Sequence, residues 1–292
     1  MKKVFLSFLC AAMIMILISG CAGTFTGAPQ VRKGTVNSFD GVPIYYEVQG
    51  SSTPAIVFVH GWCCDRTYWD AQVAYFARTN MVVTIDLAGH GKSGVKREIW
   101  SMGAFGEDVR AVLEELGLKQ IVLVGHSMGG PVILEAALRL KGRVAGLVAV
   151  DTLNQGYYLS LTKEQIEGFA APFLADFAAA TDSFVRQSFF TPDSDPALIE
   201  RIASDMSSAP PAVGLGTFGE LAKWDLRPAL QEVKAPIRCI SLHGDPKIEA
   251  LFASYFDIVH MSGVGHFAMM EDPEGFNHLL RLVSEFRSQK LD

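Results

Sequence analysis

The chain has little that would attract a polyanion. Its 25 Lys and Arg are outnumbered by 31 Asp and Glu, for a formal charge of -6. That balance excludes nucleic-acid binding driven by charge. Cysteine is scarce, at five in 292 residues. No Cys/His spacing of a metal site occurs. The 27 glycines follow no collagen period and form no low-complexity run, and no internal repeat is visible. What is present is apolar material: 49% hydrophobic against 19% charged residues. That excludes a disordered chain and supplies one large core. One large α/β domain fits this length better than two small ones.

The N-terminus reads as a segment outside the fold. Lys2 and Lys3 precede an apolar run from Val4 to Ile18, broken only by Ser7. At about fifteen residues it is short for a membrane span and suits the core of a signal peptide. The run ends in Ile18-Ser19-Gly20-Cys21. Small residues before a cysteine resemble the lipobox of bacterial lipoproteins. The resemblance implies cleavage after residue 20, acylation of Cys21 and a lipid anchor in the bacterial cell envelope. Ala22 next to the lipid site, by resemblance to enterobacterial sorting, favours the periplasmic face of the outer membrane. Residues 21–34, with Gly23, Gly27 and Pro29, read as a flexible tether. Loss of Cys10 and use of Cys21 would leave Cys63, Cys64 and Cys239, an odd number. A disulfide framework is therefore not expected.

From residue 35 the chain alternates strand and helix. Thr35–Phe39 and Ile44–Gln49 flank Asp40-Gly41 as a hairpin. Short apolar runs follow at Ala55–His60, Met81–Asp86, Ile121–Gly125, Val144–Asp151, Ile237–Leu242 and Phe256–Met261. Such runs suit strands buried on both faces. Between them, Val109, Val112, Leu113 and Leu116 keep helical spacing up to Gly117. Met128–Lys141 and Glu274–Gln289 give two further helices. The alternation predicts an α/β fold, with a mostly parallel central sheet and helices on both faces. One stretch breaks the rhythm. Residues from about 153 to 226 are helical in pattern, with Pro172, Pro192, Pro196, Pro210 and Pro211 as breaks. They read as a cap of several short helices inserted into the single domain of residues 35–292.

The chemistry-bearing residues gather where strands end. Gly125-His126-Ser127-Met128-Gly129 fits G-x-S-x-G, directly after one strand and at the start of a helix. Passing from strand to helix within so few residues requires a sharp, strained turn. Glycines at 125 and 129 let neighbouring backbone approach. The serine oxygen then stands above the sheet edge, near a helix N-terminus that favours developing negative charge. His60-Gly61-Trp62 ends an earlier strand. Asp86-Leu87-Ala88-Gly89-His90-Gly91 ends the next, and Gly265-His266-Phe267 follows the last.

Together these four motifs, in this order, resemble the α/β-hydrolase family over roughly residues 35 to 290. The resemblance implies that Ser127 is the nucleophile and His266 the general base and then acid. It implies that the backbone N–H groups of Trp62 and Met128 form the oxyanion hole. The family places the third triad member after either of two strands, so two aspartates compete. Asp151 ends the run from Val144, where the haloalkane-dehalogenase branch carries its acid. Asp245 follows the run from Ile237. There the loop is shorter than the family pattern, and Lys247 stands where the acid is expected. Asp151 is taken first and Asp245 as the alternative.

Other conspicuous residues have blander readings. His60 and His90 are expected to be hydrogen-bonded structural residues, His126 to pack in the elbow, and Asp86 to brace its loop. Cys63 and Cys64 are expected to pack the loop after Trp62. Trp62 and Trp69 would line a pocket or bury that loop. The cap phenylalanines, Phe169 to Phe190, would bind an apolar acyl group or, for most of them, pack the cap itself. His243, His260, His278 and Trp224 suggest no role. The leading expectation is a lipid-anchored serine hydrolase acting on a small-molecule ester or acyl compound, with no metal or organic cofactor. The same elbow also resembles cofactor-free haloperoxidases and carbon–carbon bond hydrolases, and acyl transfer to another acceptor is a further option. A lipoprotein that binds a ligand without catalysis is the reading from another class.

Overall fold

A computed structural model describes residues 30–153, 162–242 and 244–286. The expected signal segment, Cys21, the tether before residue 30 and His243 lie outside the described residues. Among the described residues, no helix is long and apolar enough to cross a membrane.

The strands are β1 (Arg32–Asn37), β2 (Pro43–Gln49), β3 (Ala55–Val59), β4 (Val82–Ile85), β5 (Ile121–His126), β6 (Val144–Val150), β7 (Ile237–Ser241) and β8 (Phe256–His260). They form one eight-stranded sheet in the order β1-β2-β4-β3-β5-β6-β7-β8. β1 pairs antiparallel with β2, and β2 antiparallel with β4; every pairing from β4 to β8 is parallel. β3, β4 and β5 are buried at every residue, as continuous apolar runs covered on both faces must be. β2 alternates instead, with Ile44, Tyr46 and Val48 turned inward. The expected hairpin is present, with Gly41 at φ 81° in its turn. β1 begins at Arg32, so Arg32, Lys33 and Gly34, read from sequence as the end of the tether, belong to the sheet.

The helices are α1 (Asp70–Phe76), α2 (Met102–Glu115), α3 (Gly129–Arg139), α4 (Lys163–Ala175), α5 (Phe177–Ser188), α6 (Pro196–Ser207), α7 (Pro211–Leu221), α8 (Leu226–Glu232), α9 (Pro246–Phe252), α10 (Ala268–Glu271) and α11 (Pro273–Ser284). α2 and α3 pack on each other, and α1 packs against α11. The last helix ends at Ser284, earlier than its sequence pattern to Gln289 suggested.

α4–α8 lie between β6 and β7, and α4–α7 fall in the stretch read from sequence as a cap. Thr162 opens α4 with a reciprocal capping box to Gln165. Pro196 and Pro211 sit in the first turns of α6 and α7, where proline's missing N–H costs nothing. Pro172 departs from expectation. It lies inside α4, which continues to Ala175, and its carbonyl accepts the N–H of Asp176 at 3.0 Å. One absent donor near the helix end does not stop it.

Candidate active site

The site is assembled at the carboxyl ends of β3, β5 and β6. At the end of β5 the backbone turns through Ser127 at φ 53°, a left-handed conformation that a side chain makes costly. The turn is held at both ends. Ser127 N–H donates to Val150 O at 3.0 Å, and its carbonyl accepts Gly130 N–H at 2.9 Å. α3 then starts almost on top of β3. A Cβ on Gly129 would lie 2.6 Å from Val59 O and 2.9 Å from His60 O. A Cβ on Gly125 would strike Gly129 O. Only glycine permits that approach at either position. Ser127 is half-buried, and a Cβ on the adjoining Gly61 would touch Ser127 Cβ at 3.2 Å. The loop carrying Trp62 therefore runs beside the serine. Met128, the next residue, is helical and leads into α3.

His266 follows β8 in a loop and is 13% exposed at its side chain. Its Nδ1 lies 2.6 Å from Asp151 Oδ2, across 115 residues of sequence. With Nδ1 donating to the carboxylate, Nε2 keeps the basic lone pair. Asp151 ends β6 and is itself at φ 46°; its N–H donates to Ile240 O at 2.8 Å. The strained backbone turns its carboxylate toward the histidine loop. Asp245 is used differently. It is exposed and caps α9, accepting Lys247 N–H at 2.8 Å. His266 is further tied by its backbone. Its N–H donates to Phe189 O at 2.7 Å, and its carbonyl accepts His126 Nε2 at 2.8 Å. The imidazole stacks on Phe189 (centroids 4.4 Å apart, planes 25°) and sits 4.5 Å from the His126 ring.

The remaining histidines of this region are buried and neutral. His60 Nε2 accepts Leu87 N–H at 3.1 Å, and its Nδ1 donates to Gly61 O. His90 Nδ1 donates to Ala88 O at 2.9 Å. Burial holds His60 down to about 4 and His90 and His126 down to about 3, with a neighbouring imidazole adding to the effect in the latter two. Asp86 braces two loops at once, accepting the N–H of Arg66 and of Lys92 at 2.9 Å each, and the Arg66 guanidinium. Cys63, Cys64 and Cys239 are free and buried, and burial pushes all three thiols well above their ordinary value. Such thiols are inert.

Several contacts have no sequence signature. Trp62 is buried under the cap, its indole N–H donating to Gly214 O of α7 at 2.8 Å. Its ring meets Phe173, Phe177 and Phe218 edge-on. Trp224 donates to Glu135 Oε1 of α3 at 2.8 Å. Glu249 accepts from Ser241 and lies 3.3 Å from His260. Glu271 joins the histidine loop to the cap. Each pairs residues whose neighbours in sequence give no pattern to read.

The model of the alpha/beta hydrolase family matches residues 56–279, from β3 into α11, with only β1 and β2 lying wholly outside it. The chain belongs to the alpha/beta hydrolase family. Among the relatives of this hydrolase is 3-oxoadipate enol-lactonase 2 of Acinetobacter baylyi, 25% identical over 264 residues, which are 86% of this chain and 96% of the relative. A bifunctional esterase/perhydrolase of Acinetobacter calcoaceticus is 41% identical over 102 residues, 33% of this chain and 36% of that one. A thermophilic esterase from Thermogutta terrifontis shares the fold at a TM-score of 0.76, with 24% identity over 86% of this chain and 97% of its own.

Proposed function

We propose that the protein is a serine hydrolase of carboxylic esters, working through an acyl-enzyme on Ser127. The observation that carries this reading is the 2.6 Å contact of His266 Nδ1 with Asp151, found together with a serine in a strained strand-to-helix turn. A serine hydroxyl is a weak nucleophile at neutral pH and needs a base. His266 Nε2 takes the Ser127 proton as Oγ attacks the ester carbonyl. Asp151 stabilises the imidazolium that forms. The oxyanion is met by the N–H groups of Trp62 and Met128, each donor worth about 3–4 kcal/mol in the transition state. Collapse returns the proton from His266 to the leaving alcohol. Water, activated by the same imidazole, then releases the acid and restores Ser127.

The test is fluorophosphonate labelling together with turnover of short p-nitrophenyl esters. Labelling and turnover in the wild type, both absent in Ser127→Ala, support the reading. A wild type that folds but neither labels nor turns over any ester refutes it. The stretch shared at 41% with an esterase/perhydrolase supports a second reading, in which peroxide takes the acyl group from Ser127 in place of water. Peracid formation from acetate and hydrogen peroxide would distinguish it.

The N-terminal residues support a location as well as an activity. Cys21, after an apolar run and two small residues, would carry the lipid that holds the domain at the bacterial envelope, at the outer membrane on the argument from Ala22. Cys21→Ser should then move the protein to the soluble fraction.

A further inference from the structure

The histidine loop is held at two consecutive backbone N–H groups, and both bonds lead to the cap. His266 N–H donates directly to Phe189 O, at the end of α5, at 2.7 Å. Gly265 N–H donates to Glu271 Oε1 at 2.9 Å. The other oxygen of that carboxylate, Oε2, accepts the hydroxyl of Ser194, between α5 and α6, at 2.6 Å. Ser194 Oγ in turn accepts Thr191 N–H at 3.0 Å. Glu271 thus places one oxygen on the loop that carries His266 and one on the cap. Gly265 is buried, and a Cβ there would strike Phe189 O and lie 2.8 Å from Glu271 Oε1. The two loops are therefore in close backbone contact. Bonds to a carboxylate are about twice as strong as neutral ones.

From this geometry we infer that Glu271 is a positioning residue that couples the cap to His266. The inference rests on His266 being the general base. The carboxylate does not reach the reacting atoms. It sets the backbone on which the imidazole stands, and it makes that backbone sensitive to whether the α5–α6 loop is seated. When the loop lifts, His266 N–H loses Phe189 O and the Glu271 carboxylate that accepts Gly265 N–H loses its tie to Ser194, so the backbone that carries the imidazole beside Asp151 is held less firmly. A cap bonded in this way acts on the rate of the chemical step as well as on substrate entry. Misplacement of a catalytic group by about 1 Å can cost on the order of 100-fold.

Amide hydrogen exchange and ester turnover in the wild type, Glu271→Ala, Glu271→Gln and Ser194→Ala test the coupling. Glutamine can still accept from Gly265 and can donate its N–H to Ser194 Oγ. The expected result is tenfold or faster exchange at Gly265 and His266 in both Glu271→Ala and Ser194→Ala, with kcat reduced about tenfold or more in Glu271→Ala. KM should change much less, and Glu271→Gln should recover most of the loss. Ser194→Ala speeding exchange only at residues 189–194 would overturn the coupling. So would a glutamine variant as slow as alanine, which would make the charge rather than the bridge responsible. If Glu271→Ala does not fold, the Ser194→Ala exchange pattern and the glutamine variant still decide. Exchange needs no turnover, so a wild type without esterase activity would sink the hydrolase reading while leaving the coupling to be judged on exchange alone.

Discussion

In the proposed mechanism the imidazole of His266 works as the base with its other nitrogen oriented by a carboxylate, and the group at that nitrogen is Asp151. The carboxylate is buried, 2.6 Å from Nδ1, and supported on strained backbone at φ 46°. Asparagine there would keep the shape and present the wrong tautomer partner, so Asp151→Asn should lower kcat/KM by about 10³–10⁴. Asp245 caps a short helix at the surface. Asp245→Asn should leave kcat/KM within about twofold, because asparagine also caps well. Steady-state kinetics on a p-nitrophenyl ester checks both. Equal losses in the two variants would contradict the assignment. The identity of this residue was the open choice in the sequence, where two aspartates each followed a strand in the right order. A carboxylate's distance to a histidine 115 residues away cannot be read from either neighbourhood.

At the scale of elements, the elbow depends on how closely α3 approaches the sheet. The Cβ of Gly129→Ala would lie 2.6 Å from Val59 O, a backbone atom in the centre of the sheet that cannot move aside. The variant should lose about 1–3 kcal/mol of stability, as overpacking does, and most of its activity, since α3 can relieve the clash only by backing away from β3. A half-buried glycine with open space around it is the contrast. Nothing lies within 4 Å of a Cβ at Gly219 in α7, so Gly219→Ala should stabilise by about 0.5–1 kcal/mol through helix propensity. Thermal or denaturant melts of the pair test this, and equal effects would refute it. The elbow and its flanking strand and helix were legible because their signal is local: a buried apolar run, then glycines at fixed offsets around a serine. The cap was legible as helices but not as packing. Its contacts with Trp62, Glu135 and Glu271 join elements from opposite ends of the chain.

At the scale of the whole molecule, three histidines among the described residues are buried in one region, and this makes stability depend on pH. His60 is held at about 4 and His90 and His126 at about 3, against an ordinary value of 6.5. As pH falls through 6.5, the unfolded chain takes up protons that the native chain refuses. Their contribution to stability is therefore complete above 6.5 and is lost toward pH 3, at about 1.4 kcal/mol per pH unit for each histidine. Denaturant melts at pH 7, 6 and 5 should show falling midpoints. His90→Asn, which keeps a donor for Ala88 O, should flatten that slope by the share of one histidine. An unchanged slope in the variant would show that His90 does not contribute. The residue type was visible in sequence, and its structural role was the expected one. Its neutrality is a property of burial, which belongs to the assembled molecule.

Sequence by itself determined the alternation of strands and helices, the serine elbow motif and the place of the terminal histidine after the last strand. Hydrophobic period, glycine placement and turn chemistry act over a few residues, so they can be read along the chain. The anchor expected at Cys21 is likewise a local pattern, and it lies outside the described residues. Tertiary structure alone decided that Asp151 meets His266, that Trp62 is buried against the cap and that Glu271 bridges two loops. Those contacts depend on the parallel register of β5, β6 and β7, which brings strand ends distant in sequence to one edge of the sheet. Hydrogen bonds of that kind form only once the core has set the distances.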